Sequence, residues 1–422
     1  MNTSRFLDKP VRELSLLSEE DCDDLVTIAE NLVLARVKEY QDGKQVDPTR
    51  WKICSKVDAL VTYLERKEVN PPSTLPVSLM VVGALPGTLD DNMFGLVSPT
   101  LLDMRMKSSY LQDCQGAAIV ATIAAPTEDE PFRSVVIKWM EIHTPGASLG
   151  IVSNRDDVYL ETTGILSLPN RERVGYHLLH SVRLPQVHSL PHRVRGNISF
   201  CGIFHQDGPD RNDCHGTGIM DAAGDATRLL AMMGMVHATM AGVKSSDCGQ
   251  MKKLAWLLEQ RYAETRHTDA AQAASLLTAD STCVTCCKPI NMLRLALGKA
   301  KTTCQLCGRA LCHACKLSRK LTFLHSNLDL VQRKVHTFCL ECLNDATHVD
   351  TLDAARHPFV YKSSFRHSDV VFIQGGLAVC LSMDQARSHL PSYSIRAWSI
   401  DSSCSWDGLS AISPSWNVRG KQ

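Results

Sequence analysis

Hydrophobic residues recur at helical spacing near the start of the chain. Between residues 18 and 41 they follow one another at intervals of three or four: Leu25, Ile28, Leu32 and Ala35. This is the spacing of one face of an α-helix. Ser18 precedes a run of acidic residues, as at a capped helix N-terminus. The pattern predicts a helix over residues 18–41 and a second, short helix over Cys54–Arg66, which ends before Pro71.

In the middle of the chain the pattern changes to alternation between hydrophobic and polar residues, which indicates strands with one buried face. The clearest stretches are Val77–Val82, Ala117–Ala124, Ser134–Ile142, Asp157–Thr163, Arg173–Leu184 and Asn197–His205. In the last stretch Ile198, Phe200 and Phe204 share one face. A closing apolar helix is predicted over Thr227–Ala263, with a break near Gly242–Gly249. This order predicts an α+β fold, in which a curved sheet grips the last helix and leaves a cavity between them.

The predicted closing helix is rich in methionine. Its methionines are Met232, Met233, Met235, Met240 and Met251. Methionine adapts to flexible apolar ligands, so one interpretation is that these side chains face the cavity. The alternative interpretation is that they belong to the core.

Several stretches together carry a resemblance to a known family. They are MVVGALPGTLDDNMFGLVSPT (Met80–Thr100), PFRSVVIKWM (Pro131–Met140), DDVYLETTGI (Asp156–Ile165) and RVGYHLLHSV (Arg173–Val182). They resemble the START-like domains of oomycete proteins, over about residues 15–265, and in that family a FYVE-type zinc finger follows the domain. The resemblance implies a helix-grip fold with a cavity for an apolar or lipid ligand. Two alternatives stay open: a protein-interaction adaptor with a filled cavity, and a cavity enzyme.

Composition narrows the class of protein. The 422 residues hold 45 Lys+Arg and 45 Asp+Glu, and 44% are hydrophobic. This content suits a folded core rather than disorder, and the neutral balance argues against a nucleic-acid partner. No run approaches the ~20 apolar residues that span a bilayer. The N-terminus has no apolar signal-peptide core, so we expect a cytoplasmic protein.

Cysteines point to bound metal. Nine of the 17 cysteines lie between Cys283 and Cys342. Eight of them form four C-x2-C pairs: Cys283 and Cys286, Cys304 and Cys307, Cys312 and Cys315, and Cys339 and Cys342. Eight thiolates suffice for two closed tetrahedral Zn²⁺ sites, which are structural rather than catalytic. The ninth, Cys287, is predicted to be a spare neighbour.

The spacing of these pairs resembles a FYVE-type finger, with CGRALCHAC (Cys307–Cys315) at its centre. That resemblance implies a cross-braced module over residues 277–346, in which the first and third pairs share one Zn²⁺ and the second and fourth share the other. The family's phosphoinositide motifs are altered, because Thr302 and Thr303 replace two histidines. Lys299, Lys301 and Arg309 remain as candidate phosphoinositide-binding residues. We therefore expect weak contact with an anionic membrane surface, peripheral on endosomal membranes.

No motif requires catalysis, so a non-enzymatic protein is predicted. The G-x-S-x-G letters at Gly146–Gly150 precede a predicted strand rather than the helix that a nucleophile elbow needs. Asp156, Asp157 and Glu161 are acid–base candidates, but we expect them on solvated strand edges. The grip domain and the finger are expected to have separate cores.

Residues 347–422 are predicted to form a mostly irregular tail that contains serines and tryptophans. Within it, Trp406-Asp407-Gly408-Leu409 resembles the short motif recognised by ubiquitin-like autophagy modifiers. A protein partner that binds this tail by strand addition is therefore a hypothesis.

Overall fold

The computed structural model describes residues 7–8, 10–11, 17–43, 46–66, 76–142, 152–221, 223–224, 232–234, 236, 242–267, 282–290, 303–325, 330–364 and 396–397. The first helix, α1, spans Glu19–Gln41. The Ser18 hydroxyl accepts a hydrogen bond from the Asp21 backbone N–H at 3.0 Å. The predicted capped helix is therefore confirmed.

The second predicted helix is wrong. Cys54–Arg66 instead belongs to a hairpin of β2 (Trp51–Val57) and β3 (Leu60–Glu65). Leu60 and Leu64 are four residues apart. This spacing places two residues on one face of a helix, and it also places them on one face of a strand, where every second residue shares a face. Both are buried because they lie on the inner face of the sheet.

A large, almost wholly antiparallel sheet forms the body of the molecule. Its remaining strands are β1 (Leu7–Asp8), β4 (Val77–Pro86), β5 (Cys114–Ala124), β6 (Ser134–Ile142), β7 (Asn154–Ser167), β8 (Arg173–Arg183), β9 (Arg193–Arg195), β10 (Asn197–Gln206) and β11 (Arg211–Asp221). The order across the sheet is β1-β5-β6-β7-β8-β10-β11-β4-β3-β2. Each predicted strand coincides with one of these. β11 was missed because its glycines and charged residues interrupt the alternation.

Two short helices lie within the stretch that was interpreted as strands. They are α2 (Leu89–Leu96) and α3 (Leu101–Leu111). Each begins with a reciprocal capping box, formed by Thr88 with Asp91 and by Thr100 with Asp103. The pattern Thr-x-x-Asp was therefore the signal available in the sequence.

Helices cover both faces of the sheet. On one face, α1 packs on a core that includes Trp139 and Leu160. On the other, α2 packs on β8, where Leu89 and Met93 lie against Gly175. The α+β class, with a large antiparallel sheet that grips helices, is confirmed. Within the described ranges, no helix is long and apolar enough to cross a membrane.

The described part of the predicted closing helix is α4 (Ser245–His267), which lies directly against α2. Glycines allow this contact. A Cβ on Gly95 would lie 1.8 Å from the Ser245 carbonyl oxygen, and one on Gly249 would lie 1.8 Å from the Asp91 carbonyl oxygen. Any larger residue at either position would force the two helices apart.

The cysteine-rich module continues this helical layer. It contains a hairpin of β12 (Leu317–His325) and β13 (Leu330–Phe338), followed by α5 (Leu340–His348). Its core includes Leu321 and Phe338 from the hairpin and Leu254 and Leu258 from α4. The expectation of separate cores is therefore wrong: the module is too small to bury its hairpin alone, and α4 supplies the missing apolar surface.

The predicted irregular tail begins with a further helix, α6 (Thr351–Ser364). Leu352 and Ala355 of α6 join the core beneath α2. A buried network fixes the junction. Lys253 Nζ lies 3.0 Å from Asp91 Oδ1 and donates to the Val349 carbonyl oxygen at 3.0 Å. Farther on, β14 (Arg396–Ala397) pairs with the end of β8. Trp406–Leu409 lies outside the described residues.

Candidate functional site

A mainly apolar cavity of about 140 Å³ lies between the inner face of the sheet and the helices. Its apolar wall includes Leu79, Val81, Met140, Ile198, Phe200 and Phe204. The predicted shared face of Ile198, Phe200 and Phe204 is therefore the cavity face of β10.

The methionines of the closing helix take other positions. Met232 packs against the inner core, Met233 is 49% exposed, and Met251 packs beside the cysteine-rich module. Met235 and Met240 lie outside the described residues. Met140 and Met220, from β6 and β11, line the cavity instead. The core interpretation is thus correct for Met232 and Met251.

A cluster of charged side chains lies at one side of the cavity, centred on Glu161 of β7. The Glu161 carboxylate accepts from Lys138 Nζ and lies 2.8 Å from His177 Nε2 and 3.6 Å from Lys107 Nζ. Lys107 also lies 3.9 Å from Asp113. All of these groups but Lys138 border the cavity. The cluster therefore supplies polar contacts within a mainly apolar wall.

Charges within this cluster balance. Burial alone would raise the pKa of Glu161, but the Lys138 and Lys107 ammonium groups hold that pKa well below its ordinary value. Burial lowers the pKa of His177. Two ammonium groups and two carboxylates, with a neutral imidazole between them, leave no net charge.

The acid–base candidates are not on solvated edges, contrary to expectation. Asp156, Asp157 and Glu161 are 0%, 3% and 2% exposed. They are buried because β7 pairs with β6 on one side and with β8 and β9 on the other. Val158 and Leu160 face α1, so the alternating Asp157 and Glu161 must face the cavity.

Asp156 and Asp157 differ in their partners. The Asp156 carboxylate accepts from Trp139 Nε1 at 2.6 Å and from Arg195 at 2.9 Å. Asp157 borders the cavity and makes no hydrogen bond or ion pair with any residue the structure describes. Burial, and then the charge of Asp156, raise the pKa of Asp157 to about 7.

A second, larger groove of about 420 Å³ lies between α1 and α6. Its arginines already have partners. Arg173 pairs with Asp90 at 2.7 Å, and Arg356 donates to the Glu128 carbonyl oxygen at 3.2 Å. The groove therefore offers fewer unpaired polar groups to a ligand than the cavity, which Asp157 borders.

The structure brings the cysteine thiols together in two groups. One holds Cys283, Cys286, Cys312 and Cys315, and the other holds Cys304, Cys307, Cys339 and Cys342. The sulfur atoms of each group lie within 4.8 Å of one another. The separation is 3.8 Å for Cys286 and Cys312, and 4.0 Å for Cys307 and Cys339.

These separations fit a tetrahedral metal. Four sulfurs at the ~2.3 Å bond length of a zinc thiolate would lie about 3.8 Å apart. One thiol group contains the first and third C-x2-C pairs along the chain, and the other contains the second and fourth. This is the crossed arrangement that the resemblance to FYVE-type fingers implied. All eight positions are filled by cysteine, so neither group keeps an open coordination position for chemistry.

The two halves of the module repeat one backbone turn. Cys283 N–H donates to the Lys288 carbonyl oxygen, and Cys304 N–H donates to that of Arg309, both at 2.9 Å. Cys287 occupies the left-handed position of the first turn, with φ of 55°, where Gly308 in the second has 74°. Cys287 is exposed and lies outside both thiol groups.

The phosphoinositide candidates do not converge on a described site. Lys299 and Lys301 lie outside the described residues. Arg309 is exposed and forms an ion pair with Glu341 at 2.8 Å. A basic surface that sequence analysis missed lies on the β12–β13 hairpin, where the exposed cations are Arg319, Lys320, Arg333 and Lys334. Beside them, Val335 is 65% exposed.

The fold and these sites define an α+β grip protein with a mainly apolar cavity and a cross-braced cysteine module. No protein-family model matches the chain, and a search of curated proteins found no match.

Solved structures with similar folds include human StAR-related lipid transfer protein 5, which is 14% identical with a TM-score of 0.40; the match covers 54% of this chain and 97% of that one. Human STARD10 is 12% identical with a TM-score of 0.34, covering 55% and 82%. A STAR-related lipid transfer protein from Xanthomonas axonopodis is 14% identical with a TM-score of 0.32, covering 47% and 96%. Similarity this distant does not bear on ligands or activity.

Proposed function

We propose that this chain is a non-enzymatic binding protein that encloses a small, mainly apolar ligand in the grip cavity. The observation that carries the proposal is a buried apolar cavity with a charge-balanced polar cluster in its wall. Ligand sites combine apolar walls with a few polar groups that fix orientation. Because the Glu161 cluster has no net charge, it suits a ligand hydroxyl or carbonyl there.

Cavity size limits the ligand. A dry cavity of about 150 Å³ holds a molecule the size of benzene, and this one measures about 140 Å³. Typical pockets for drug-sized ligands have about 300–1,000 Å³. The small volume favours a compact ligand or one short segment of a lipid.

Binding is favoured over catalysis by the state of the reactive groups. Glu161 is held ionised by two ammonium groups, which makes it a weak base. The Cys214 thiol borders the cavity, and burial raises its pKa to about 12. A thiol that stays protonated at neutral pH is a poor nucleophile.

Native mass spectrometry of the full chain, released gently from its expression host, tests this function. We expect a small co-purifying molecule that is retained in a Val61→Phe control and lost in Val81→Phe. Val81 lines the cavity, whereas Val61 lies on neighbouring β3 outside the cavity lining. A ligand-free wild-type chain that also binds no added apolar probe would contradict the proposal.

An adaptor with a filled cavity is the second candidate, and the small volume is the observation that favours it. Under that candidate Val81→Phe would overpack the site and lower stability without changing any bound mass. The same pair of variants therefore separates the two functions.

We further propose that the cysteine module binds two structural Zn²⁺ ions as a FYVE-type finger. Metal analysis of the full chain should give two zinc ions per molecule. Cys286→Ser should lose at least one, because Cys286 belongs to a thiol group. Cys287→Ser should keep both, since Cys287 lies outside the groups. Equal zinc contents in the two variants would contradict this ligand set.

The module is also proposed to contact an anionic membrane surface from the cytoplasm, and endosomal membranes are the expected location. The basic β12–β13 hairpin with exposed Val335 supports this contact, because basic residues near an anionic leaflet each contribute about 1 kcal/mol. Arg309 contributes less than expected from the sequence, since Glu341 neutralises it.

A further inference from the structure

Asp157 is a buried carboxyl group without a partner among the residues that the structure describes. It is 3% exposed and borders the cavity. It makes no hydrogen bond or ion pair with the residues that the structure describes. Burying a polar group without a partner is destabilising, and a buried carboxylate costs more than a neutral group. Such a group is expected where a ligand supplies the missing partner.

Neighbouring polar groups on β7 have their own partners. Asp156 is held by Trp139 and Arg195, and Glu161 by Lys138, Lys107 and His177. The Tyr159 hydroxyl lies 3.8 Å from the Met140 sulfur. One oxygen of Asp156, Oδ1, also lacks a partner, but among these groups Asp157 alone has no partner at either oxygen among the described residues.

The two ends of the cavity differ in how their charged groups are paired. At the Glu161 end, Lys107 and Lys138 balance Glu161 and Asp113. At the other end, Arg195 balances Asp156 at 2.9 Å. Among the described carboxylates that border the cavity, Asp157 is then the one without an ion pair, since Asp113 and Glu161 pair with lysines. The buried Arg155, two residues away on β7, donates to the Ser153 and Ala223 carbonyl oxygens. The group that would balance an ionised Asp157 is a cation.

The Asp157 end and the Glu161 end of the cavity are far enough apart for their charged groups to act independently. Asp157 and Glu161 are four residues apart on β7, or about 13 Å at 3.3 Å per residue. A cation at Asp157 would thus be well separated from the ammonium groups around Glu161. The surroundings of Asp157 on the cavity side are apolar, with Met140, Ile142 and Ile198 in the same wall.

The backbone holds the carboxyl group in place. A Cβ on Gly196 would lie 2.8 Å from Asp157 Oδ1. Gly196 N–H donates to the Asp156 carbonyl oxygen at 2.9 Å, which fixes this close approach. A larger residue at position 196 would displace the carboxyl group.

We propose that Asp157 binds the ammonium group of a small apolar amine whose hydrocarbon part occupies the cavity. The inference rests on the proposed cavity function and adds the chemical class of the ligand. A neighbouring ammonium favours the ionised carboxylate and so compensates for its burial. Burial and the charge of Asp156 raise the pKa of Asp157 in spite of the attraction of Arg195, which is ion-paired with Asp156.

Calorimetric titration of the full-length protein at pH 8 tests the assignment with two probes of one shape and of about benzene's size, cyclopentylamine and cyclopentanol. We expect the amine to bind at least tenfold more tightly than the alcohol. Asp157→Asn should abolish this preference, because the amide is nearly isosteric but uncharged. Asp24→Asn should keep it, since Asp24 is an exposed residue of α1.

Equal binding of the two probes to the wild-type protein would overturn the assignment and leave the cavity function standing. A preference that survives in Asp157→Asn would also overturn it, by placing the cation elsewhere. If neither probe binds, the assignment is overturned, and the cavity function is then decided by the native mass spectrometry of the co-purifying molecule. The wild-type comparison needs no variant, so it stays decisive if Asp157→Asn fails to fold.

Discussion

The grip domain and the cysteine module differ in what lies at their buried centres and in where the surrounding apolar residues come from. The grip domain surrounds its cavity with a sheet of many strands and two apolar cores. The module has thiols at its centre and completes its small core with Leu254 and Leu258 of α4. The comparison teaches that the module depends on the grip domain for apolar burial, whereas the grip domain has cores of its own.

Removal of zinc should have the largest effect on the stability of the protein. Structural zinc sites contribute roughly 10 kcal/mol or more to folding. Because Leu321 and Phe338 pack on α4, Cys312→Ala should expose the module and also loosen α4. Hydrogen exchange measured by mass spectrometry would report both regions. Unchanged protection of α4 in a chain whose module has unfolded would break the comparison. Cys287→Ser is the control.

Breaking the charged cluster should have the next largest effect, confined to the grip domain. Lys138→Met leaves Glu161 buried with a weaker set of partners and should destabilise by about 3–5 kcal/mol. The double variant Lys138→Met with Glu161→Gln should recover part of this loss. Urea unfolding measures both. A loss below about 1 kcal/mol would show that Lys107 and His177 suffice.

Asp157 should make stability depend on pH. Its folded pKa of about 7 lies above the ordinary value of 3.8, so the folded state binds the extra proton. Stability from this group is therefore complete below about pH 4 and is lost as the pH rises to about 7.

Asp157→Asn removes this titration. The variant should match the wild type near pH 4 and exceed it at pH 8 by at most about 4 kcal/mol. The charged groups beside Asp157, namely Asp156 and Arg195, are present in both proteins. Urea unfolding across this pH range, with Asp24→Asn as control, gives the measurement. A difference that does not change with pH would contradict the buried, unpartnered state.

Charge reversal on the hairpin should have the smallest energetic effect and should affect the module alone. Lys320→Glu with Lys334→Glu should weaken flotation with phosphatidylserine vesicles, by about 1 kcal/mol for each charge removed. The weakening should shrink as salt rises, because ions screen exposed charges. Lys52→Glu, on exposed β2, should leave flotation unchanged. Equal losses of vesicle flotation in the hairpin variant and in Lys52→Glu would indicate attraction by the overall charge of the protein.

Local signals in the sequence determined the elements and the metal chemistry. Ser18 and the apolar spacing after it determined α1, and alternation determined most strands of the sheet. The four C-x2-C pairs indicated two thiol groups, because C-x2-C spacing brings two sulfurs together on one backbone turn. The crossed pairing came only by resemblance to FYVE-type fingers.

Tertiary structure alone decided where the chemistry lies. From the sequence, Asp157 and Glu161 were expected to be surface residues. Alternation along β7 shows that the two residues share one face of the strand, but it does not show which elements cover that face. Their burial depends on β6, β8 and the helices, which come from distant parts of the chain. The junction of Asp91, Lys253 and Thr351 joins residues up to 260 positions apart. Contacts at such separation leave no local period or spacing in the sequence, so only the folded chain reveals them.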